Sequence, residues 1–317
     1  MKNFWKDLKK PFTILAPMDD VTDVVFREVI AKIQRPDVFF TEFTNVEALN
    51  SKGKDSQIRR FEYTENQRPI VGQIWGLNPK NYFKTAKLLK KLKFDGIDIN
   101  MGCPEKSVVK NGCCAALINN RKLAKEIIEA TIKGSGTLPV SVKTRIGIDK
   151  IITEDWISFL LSFNLAAITI HARTVREKSK VPAHWEEIGK AVKLRNKLNS
   201  KTLIIGNGDV KDYQEVLQKY QEYKVDGVMI GTGIFSNLWA FDKDNNFPKK
   251  NLKDMLKLLM NHAKLFDKTW GKQKNFAILR KFFKIYVSEF ENSKDLRIKL
   301  MQANSLEDVK NIILPYT

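Results

Sequence analysis

The sequence predicts an α/β fold, a (β/α)8 barrel of the TIM type followed by an all-α helical C-terminal domain. Short apolar runs typical of strands alternate with amphipathic helical stretches through most of the chain. Eight such strand–helix units fit a closed barrel better than an open doubly wound sheet. After Phe247-Pro248 the strand pattern stops and only helical periodicity follows. We therefore expect a barrel domain over residues 1–245 and a helical domain over 246–317.

The expected strands begin 25 to 44 residues apart, the interval of successive strand–helix units. Most are apolar on both faces, as in Ala167-Ile168-Thr169-Ile170, because a parallel strand of a barrel is covered on both sides. The expected strands are Phe12–Met18, Val38–Thr44, Pro69–Trp75, Gly96–Gly102, Val140–Gly147, Ala166–Arg173, Thr202–Asp209 and Gly227–Phe235.

The helical stretches carry their own start signals. Asn78-Pro79 places a capping side chain before a proline at the first helical position. Near the C-terminus, helical periodicity covers residues 249–268, 274–291, 293–302 and 305–314. The last stretch begins Ser305-Leu306-Glu307-Asp308, a capping-box pattern that predicts a helix start.

Composition excludes several classes of protein. With 43% hydrophobic residues the chain can bury a core, which excludes global disorder. It has no run of about 18 apolar residues, so we expect no membrane-spanning helix, and its charged start lacks a signal-peptide core. Three cysteines are too few for a disulfide framework. We expect a cytoplasmic monomer with no membrane partner and no metal.

Positive charge dominates the chain and is concentrated near its C-terminus. The 55 Lys and Arg residues against 36 Asp and Glu give a formal charge of +19. Residues 246–317 hold 15 of these cations and 7 of the anions, which makes them more than twice as basic per residue as the rest. A field of this sign attracts polyanions, most often nucleic acid. Charge alone does not separate that interpretation from a lysine-rich solvated surface.

Polar side chains terminate nearly every expected strand. In a barrel the carboxyl ends of the strands meet at one rim and form the active site. Buried polar groups cost free energy unless they are paired, so a purely structural barrel has no need of this set. The residues at the strand ends are Ala16-Pro17-Met18, Glu42, Gln73, Asn100 to Pro104, Lys143, Arg145, His171, Arg173, Asn207-Gly208-Asp209 and Gly231-Thr232-Gly233.

The last two strand ends are rich in glycine. Gly208 and Gly231 let backbone N–H groups approach an anion at the place where such barrels commonly bind phosphate. Neither segment continues as a dinucleotide fingerprint or a P-loop. With Lys143 and His171 nearby, we favour a phosphate-bearing cofactor over glycines that only make tight turns.

Cys103 follows the fourth expected strand, in a loop that should face the same rim. Its thiol suits a metal ligand, a nucleophile, a proton donor or an inert packing residue. Cys113 and Cys114 do not have zinc-site spacing, and His171 is the only histidine at a strand end that could act as a base. A thiol with an ordinary pKa of about 8.5 is mostly protonated at neutral pH and can act directly as a general acid.

Five motifs occur in a fixed order: Ala16-Pro17-Met18-Asp19-Asp20-Val21-Thr22-Asp23, Asn100-x-Gly102-Cys103-Pro104, Val142-Lys143-x-Arg145-x-Gly147, His171-Ala172-Arg173-Thr174 and Asn207-Gly208-Asp209. Together they resemble the flavin-dependent tRNA-dihydrouridine synthases, over nearly the whole chain. The resemblance implies an FMN-binding (β/α)8 barrel and a small helical domain that helps to hold tRNA.

The resemblance also implies roles for individual residues. The catalytic residues are expected to be Cys103, as proton donor, with Lys143 and His171. FMN contacts fall on Ala16, Pro17, Met18, Gln73, Lys143 and His171, and the flavin phosphate falls on Asn207, Gly208, Asp209, Gly231 and Thr232. Asn100 matches a uracil contact, and Arg145 and Arg173 are expected to lie near uracil or RNA.

In the implied reaction, NADPH reduces FMN, and the reduced flavin transfers a hydride to C6 of a uridine extruded from the tRNA stack. Cys103 protonates C5 from the opposite face, and Lys143 stabilises developing negative charge. In the tail, Arg280, Lys281 and Lys284 are expected to face solvent and contact phosphates. The modified tRNA position and the preference for NADPH over NADH do not follow from the sequence.

The chain departs from the family pattern at three places. Thr232 stands where the family usually has arginine, so one cation near the phosphate is absent. Residues 175–182 replace a short loop that typically has an aromatic and a glycine, at the mouth of the substrate site. Cys114 stands where glycine is common, and we expect it and Cys113 to be packing residues.

Three other functions fit parts of the sequence. An FMN barrel acting on a free pyrimidine, like dihydroorotate dehydrogenase, leaves the basic tail without a purpose. A catalytically lapsed, flavin-holding RNA-binding protein has no need of Cys103, Lys143 and His171. A phosphate-sugar barrel enzyme without flavin would give a colourless purified protein.

Overall fold

The computed structural model describes residues 3–52, 54–244, 251–288, 290 and 293–316. Its strands are β1 (Phe12–Leu15), β2 (Val38–Phe40), β3 (Thr44–Asn45), β4 (Ile70–Trp75), β5 (Gly96–Met101), β6 (Val140–Arg145), β7 (Ala167–His171), β8 (Leu203–Asn207) and β9 (Gly227–Ile230). Its α-helices are α1 (Val24–Ile33), α2 (Val46–Leu49), α3 (Lys54–Ile58), α4 (Pro79–Lys91), α5 (Lys106–Lys110), α6 (Arg121–Ser135), α7 (Thr153–Leu161), α8 (Trp185–Lys197), α9 (Tyr213–Tyr223), α10 (Leu252–Trp270), α11 (Arg280–Tyr286), α12 (Ser293–Leu300) and α13 (Leu306–Ile313).

Eight of these strands close into a barrel. The pairing runs β1-β2-β4-β5-β6-β7-β8-β9 and returns from β9 to β1, and each of these pairings is parallel. The short β3 pairs only with the end of β4. The predicted (β/α)8 barrel is therefore confirmed, with helices between the strands.

Several strands are shorter than expected, and β9 shows the reason. The ladder between β1 and β9 ends at the pair Leu15 and Ile230. The nitrogen of Ala16 still donates to the Ile230 carbonyl at 2.9 Å, but Pro17 has no N–H with which to continue. The chain after Gly231 therefore forms a 3-10 helix at Thr232–Phe235 rather than the predicted strand extension.

The barrel interior changes from apolar to polar along the strands. Phe12, Ile14 and Val71 belong to one buried cluster with Ala167 and Met229, among others. Because side chains alternate along a strand, residues an even number of positions further on face the same interior at the other end. Those residues are Gln73, Asn100, Lys143, His171 and Asn207, as the registers of the paired strands require.

Contacts divide the chain into two compact units. The first comprises the residues up to Val24 together with Pro36–Val210 and Gln214–Gly231, and it contains the barrel. The second comprises Val25–Arg35, Lys211–Tyr213 and the residues from Thr232 onward. The predicted domain boundary after residue 245 lies outside the described residues and stays a prediction.

The second unit has an aromatic core. The Phe282 ring lies 4.8 Å from that of Phe26 and 6.2 Å from that of Phe235, measured between centroids. His262 Nδ1 and the Tyr286 hydroxyl are hydrogen-bonded at 2.9 Å within this core. Apolar rings therefore hold the helices of this unit together.

The C-terminal helices follow the predicted periodicity with one exception. Helices α10, α12 and α13 match three of the expected stretches, and Ser305 caps α13 by accepting from the Asp308 nitrogen at 3.1 Å. The stretch expected at 274–291 is instead a 3-10 turn at Phe276–Leu279 followed by the short α11. Residues 249, 250, 289 and 291 of these predictions lie outside the described residues. Among the helices that are described, none combines the length and the apolarity that a bilayer crossing demands.

Candidate active site

The predicted polar rim lies at the carboxyl ends of the barrel strands. Six of the predicted residues lie within the last three positions of their strands: Gln73, Asn100, Lys143, Arg145, His171 and Asn207. The others follow shortly after the end of a strand: Ala16, Pro17, Met18, Cys103, Arg173, Gly208, Asp209 and Gly231. Thr232 begins the 3-10 helix of the second unit, and its place beside a cofactor stays a prediction.

The loop that carries Cys103 is anchored to the barrel by Asn100. The Asn100 Oδ1 accepts hydrogen bonds from the backbone nitrogens of Gly102 and Cys103, both at 3.0 Å. The Asn100 Nδ2 donates to Gln73 Oε1 at 3.1 Å. Gln73 is fully buried and Asn100 nearly so, so one side-chain amide connects the loop to the rigid interior of the barrel.

Cys103 is half-buried, and its thiol is more acidic than an ordinary cysteine. Interaction with the Cys114 thiol, with the backbone at Glu105 and with the charge of Arg145 outweighs the opposing effect of burial and lowers the pKa of Cys103 to about 7. The expectation of a mostly protonated thiol is corrected accordingly: at neutral pH the thiol and thiolate forms coexist.

Cys114 has a backbone conformation that explains why glycine is common at this position. Its φ is +51°, in the left-handed region that costs little for glycine and more for other residues. The side chain is 1% exposed and interacts with Cys103. Cys113 is also buried, as expected for packing residues.

Lys143 provides a half-buried cation inside the barrel. Its Nζ donates to Asn207 Oδ1 at 3.1 Å, and Asn207 Nδ2 donates in turn to the Met229 carbonyl at 2.8 Å. Burial, and then the charge of Arg145, lowers the pKa of Lys143 to about 8, so it is mainly charged at neutral pH. No ion pair joins Lys143 to a carboxylate of the described residues, so its charge is available to an anionic ligand.

His171 is a neutral imidazole in this arrangement. Burial and the charges of Lys143, Arg145 and Arg173 lower the pKa of His171 to about 2. The Arg173 Nη1 donates to His171 Nε2 at 3.2 Å, because a guanidinium has only donors. The remaining proton of the ring therefore lies on Nδ1, and His171 offers a hydrogen-bond donor rather than an acidic imidazolium.

Arg173 and Asp209 form an ion pair behind His171. The Arg173 Nη2 donates to both Asp209 carboxylate oxygens, at 2.6 and 2.5 Å, and its Nε donates to the Val181 carbonyl at 2.7 Å. The Asp209 carboxylate also accepts from the Ala183 nitrogen at 2.8 Å. Arg173 thus orients His171 and fixes the chain on both sides of the 175–182 loop.

Arg145 holds two loops through their backbones. Its Nε donates to the Gly102 carbonyl at 2.9 Å, and its Nη1 donates to the carbonyls of Thr174 and Lys178 at 3.0 and 3.1 Å. Burial and the nearby Arg173 lower the pKa of Arg145 to about 10, still well above neutrality. The contact with uracil or RNA expected for Arg145 stays a prediction, and the observed contacts are structural.

The atypical 175–182 segment is a well-anchored loop. Besides the two arginines, Glu177 accepts from the Thr174 nitrogen at 2.7 Å and is hydrogen-bonded to His184 Nε2 at 2.9 Å. This bond is the main reason that the pKa of His184 is raised. The loop exposes Arg176, Lys178 and Lys180. It therefore presents positive charge beside the rim.

The residues at the rim fit an anionic, hydrogen-bonding cofactor such as FMN. The charge of Arg145 lowers the pKa of Lys143, the charge of Arg173 lowers the pKa of Arg145, and all three cations lower the pKa of His171. A bound anion relieves this crowding of positive charge. Gly208 has φ +133°, and a Cβ there would approach the Ala183 Cβ to 2.8 Å. A Cβ at Gly231 would meet only the Ala16 Cβ, at 3.6 Å, which leaves open space beside that strand end.

A group of carboxylates lies near the end of β2. Ligand oxygens of Asp19, Asp20 and Glu42 lie within 4.8 Å of one another, and Arg60 forms ion pairs with Asp19 and Glu42. Arg60 offsets part of the negative charge of the group. The expectation that the protein binds no metal stays a prediction.

Asp98 and Ser141 belong to the buried polar network although the motif analysis did not single them out. Asp98 lies between Ile97 and Ile99 in β5, where an apolar run is interrupted by a carboxylate. This interruption of the apolar run indicates, from the sequence alone, that Asp98 has a buried partner, since a charge in a buried strand needs one. The Ser141 hydroxyl donates to Asp98 at 2.6 Å.

Arg145→Lys is expected to loosen the 175–182 loop. A lysine keeps the charge but cannot donate to three carbonyls in two directions, and each lost charged hydrogen bond is worth about 1.5–3 kcal/mol. We expect trypsin to cleave after Arg176, Lys178 or Lys180 at least tenfold faster. Arg121→Lys, in an exposed pair with Asp155, is the control and should leave the rate unchanged. Equal cleavage of the Arg145 variant and the wild type would contradict the anchoring role.

Comparison with known proteins extends these observations. The model of the family described as "Dihydrouridine synthase (Dus)" matches residues 14–315. Probable tRNA-dihydrouridine synthase 2 of Bacillus subtilis is 44% identical over 316 residues, covering 98% of this chain and 96% of the relative. The probable tRNA-dihydrouridine synthase of Staphylococcus aureus strain COL is 43% identical, covering 98% and 95%.

Among solved structures, a 2-naphthoyl-CoA reductase in complex with 2-naphthoyl-CoA has a TM-score of 0.58 at 10% identity, covering 75% of this chain and 52% of that one. A likeness at this identity supports the barrel fold alone. The family match and the two relatives extend over nearly the whole length of the chain, through the barrel and the helices after it. On that basis, this chain belongs to the dihydrouridine synthase family.

Proposed function

We propose that this chain reduces the C5=C6 bond of uridine in tRNA, with FMN bound at the carboxyl ends of the barrel strands and NADPH as the reductant. Membership of the dihydrouridine synthase family supports the reaction and the use of a flavin. The observation that carries the residue assignments is the half-buried Cys103, anchored by Asn100 at the rim that also holds Lys143 and His171.

The rim residues are suited to hold the cofactor in a fixed orientation. Asn207, Gly208, Asp209 and Gly231 lie where the flavin phosphate is expected, and Lys143 supplies a half-buried positive charge beside Asn207. The amide of Gln73 and the backbone of Ala16-Pro17-Met18 supply polar contacts for the ring system. Bound FMN, once reduced, would supply the hydride that C6 of the uracil receives.

Cys103 is the proposed donor of the proton that C5 receives. A general acid is most effective when its pKa lies near the working pH, and the pKa of Cys103 is about 7. Burial of the thiol within an anchored loop keeps its position fixed relative to a uracil ring that enters the rim. Proton transfer needs this fixed distance more than it needs a strongly acidic group.

Lys143 and His171 are proposed to stabilise charge rather than to transfer protons. Lys143 is mainly protonated and half-buried at the strand ends, where a fixed cation stabilises developing negative charge. His171 is neutral and directs its Nδ1–H away from Arg173. It is therefore suited to donate one hydrogen bond to the cofactor or the uracil.

Asn100 is proposed to contact the uracil, and Arg173 is proposed to lie near the uracil or the RNA. The Asn100 Nδ2 has two protons, of which one is donated to Gln73, so the second is available for a uracil carbonyl. Arg173 is 5% exposed and is held by Asp209, so it contributes by placing His171 and by its charge.

Cations outside the rim are proposed to contact the phosphates of tRNA. Lys281 and Lys284 are exposed on α11, as expected for that role. The expectation for Arg280 is wrong: it is half-buried, and it donates to the Ala303 carbonyl at 3.1 Å and to Asn304 Oδ1 at 2.6 Å. Its guanidinium closes the turn between α12 and α13, because the carbonyls after α12 need donors.

The function is tested by following flavin absorbance without oxygen. NADPH should bleach the purified yellow protein, and unmodified tRNA transcript, but not free orotate, should restore its absorbance. Cys103→Ala should retain flavin and its reduction by NADPH but lose at least a hundredfold in the rate of reoxidation by tRNA, because the C5 proton donor is gone. Reoxidation by orotate would support the free-pyrimidine alternative, and full activity of the variant would refute the role of Cys103.

The reoxidation rate should also depend on pH in the direction set by Cys103. The acid must be protonated, so the rate should be constant below pH 7 and fall about tenfold per unit above the pKa of about 7. The measurement is single-turnover reoxidation by tRNA between pH 6 and 9. Cys103→Ser, whose hydroxyl does not titrate in this range, is the control: it should lack the fall that begins near pH 7 and keep only the later fall caused by loss of the Lys143 charge above its pKa of about 8. A wild-type rate that is flat to pH 9 would contradict the assignment.

Lys284→Glu should weaken tRNA binding without changing the chemistry. Loss of one phosphate contact reduces the slope of log K against log salt by about 1 and weakens binding at low salt. Lys125→Glu, an equal charge change on the exposed face of α6, is the control. Identical affinities and salt slopes for the two variants would show that α11 does not contact tRNA.

A further inference from the structure

Asp98 is a fully buried carboxylate inside the barrel, and both of its oxygens accept hydrogen bonds. The Ser141 hydroxyl donates to Asp98 Oδ1 at 2.6 Å, and the Gln73 Nε2 donates to Asp98 Oδ2 at 2.8 Å. Asp98 and Ser141 are paired across β5 and β6, and Gln73 is paired with Asp98 across β4 and β5. The carboxylate therefore lies at the centre of three neighbouring strands.

A continuous chain of hydrogen bonds connects Asp98 to the Cys103 loop. Gln73 donates to Asp98 and accepts from Asn100 Nδ2 at 3.1 Å. Asn100 in turn accepts from the nitrogens of Gly102 and Cys103 at 3.0 Å. In each of these hydrogen bonds, the donor lies on the side of the Cys103 loop and the acceptor lies on the side of Asp98.

The direction of this chain depends on the residue at its end. A side-chain amide can present either its oxygen or its nitrogen to a neighbour, whereas an ionised carboxylate only accepts. If Gln73 turned over, its oxygen would face the carboxylate of Asp98, and two acceptors would oppose each other. Asn100 would then turn as well and direct its Nδ2 at the N–H groups of the loop.

The ionised form of Asp98 is the one that enforces this order. Burial raises the pKa of Asp98 to about 6, and the hydrogen bonds from Ser141 and Gln73, together with the charge of Lys143, keep it from rising further. Asp98 is thus mainly a carboxylate at neutral pH. A buried carboxylate with all its partners in place is costly to rearrange.

We propose that Asp98 is a positioning residue: it fixes the amide orientations of Gln73 and Asn100 and, through them, the position of the Cys103 loop. The inference deepens the proposed function and rests on it only for its effect on catalysis. Asp98 itself does not touch the reacting atoms. Its effect on the loop is a property of the protein that can be measured without any substrate.

Two substitutions separate the need for an acceptor from the need for a charge. In Asp98→Asn, the new amide oxygen can still accept from Gln73 if its nitrogen donates to Ser141 Oγ, because the Ser141 hydroxyl can donate to the Ile97 carbonyl, 3.4 Å away. In Ser141→Ala, the carboxylate of Asp98 still accepts from Gln73. In the double variant, neither residue 98 nor residue 141 determines which end of the introduced amide faces Gln73, so only the N–H groups of the loop still favour the native order and the reversed chain becomes more populated.

The first measurement is hydrogen exchange at the backbone amides of Gly102 and Cys103, which donate hydrogen bonds to Asn100 Oδ1. Each single variant should exchange within about threefold of the wild type. The double variant should exchange at least tenfold faster than the product of the single effects predicts. Exchange in β8, at 203–207, serves as the control for global destabilisation and should stay unchanged.

The second measurement is the reoxidation of reduced flavin by tRNA. The double variant should lose at least tenfold in kcat beyond the product of the singles, with little change in KM, because the loop is misplaced while the tRNA surface is intact. Multiplicative effects of the two substitutions on exchange would overturn the proposal. The proposal would also be overturned if Asp98→Asn alone were as impaired as the double variant, since the negative charge of Asp98, rather than its role as an acceptor, would then be required. If tRNA fails to reoxidise the wild type, the proposed function fails while the exchange test still decides this inference.

Discussion

The need to pair the amide and charged groups inside a closed parallel barrel is the constraint that shapes this site. At one end the interior is filled by apolar side chains around Phe12 and Ile14. At the other end the same faces carry the buried amides of Gln73 and Asn100, the buried carboxylate of Asp98 and the half-buried Lys143. Because an unpaired buried polar group costs about 1–3 kcal/mol, these side chains have to bind one another in a definite order. That order gives the site its rigidity.

Positive charge at the rim is arranged in two different ways. Arg145 and Arg173 use their donors on backbone carbonyls and on Asp209, so their charge is fixed by the loops that they hold. Lys143 donates a hydrogen bond to the neutral amide of Asn207, and no carboxylate in the described part of the chain pairs with it directly. The arginines therefore stabilise the loops around the site, whereas Lys143 is the cation most available to a flavin. The same crowding keeps His171 neutral.

The 175–182 loop shows how a segment that departs from the family pattern is accommodated. It lacks the aromatic residue and the glycine typical of the family, yet Arg145, Arg173 and Glu177 bind its backbone at several points. The anchors come from strand ends and from the loop itself, so the sequence of the exposed positions is free to vary. In this chain those positions carry cations, beside a site whose substrate is a polyanion.

Local patterns in the chain were enough to predict the succession of strands, the helical tail and the set of rim residues, because strand alternation and family motifs involve neighbouring positions. They did not predict the orientation of those residues. Arg280 closes a turn instead of facing solvent, since only the folded chain brings the carbonyl of Ala303 to it. In the sequence, Asp98 is one residue of a buried strand, and its role follows only when β4 and β6 place Gln73 and Ser141 against it. Pairing between distant strands decides which donor meets which acceptor, and that pairing exists only in the tertiary structure.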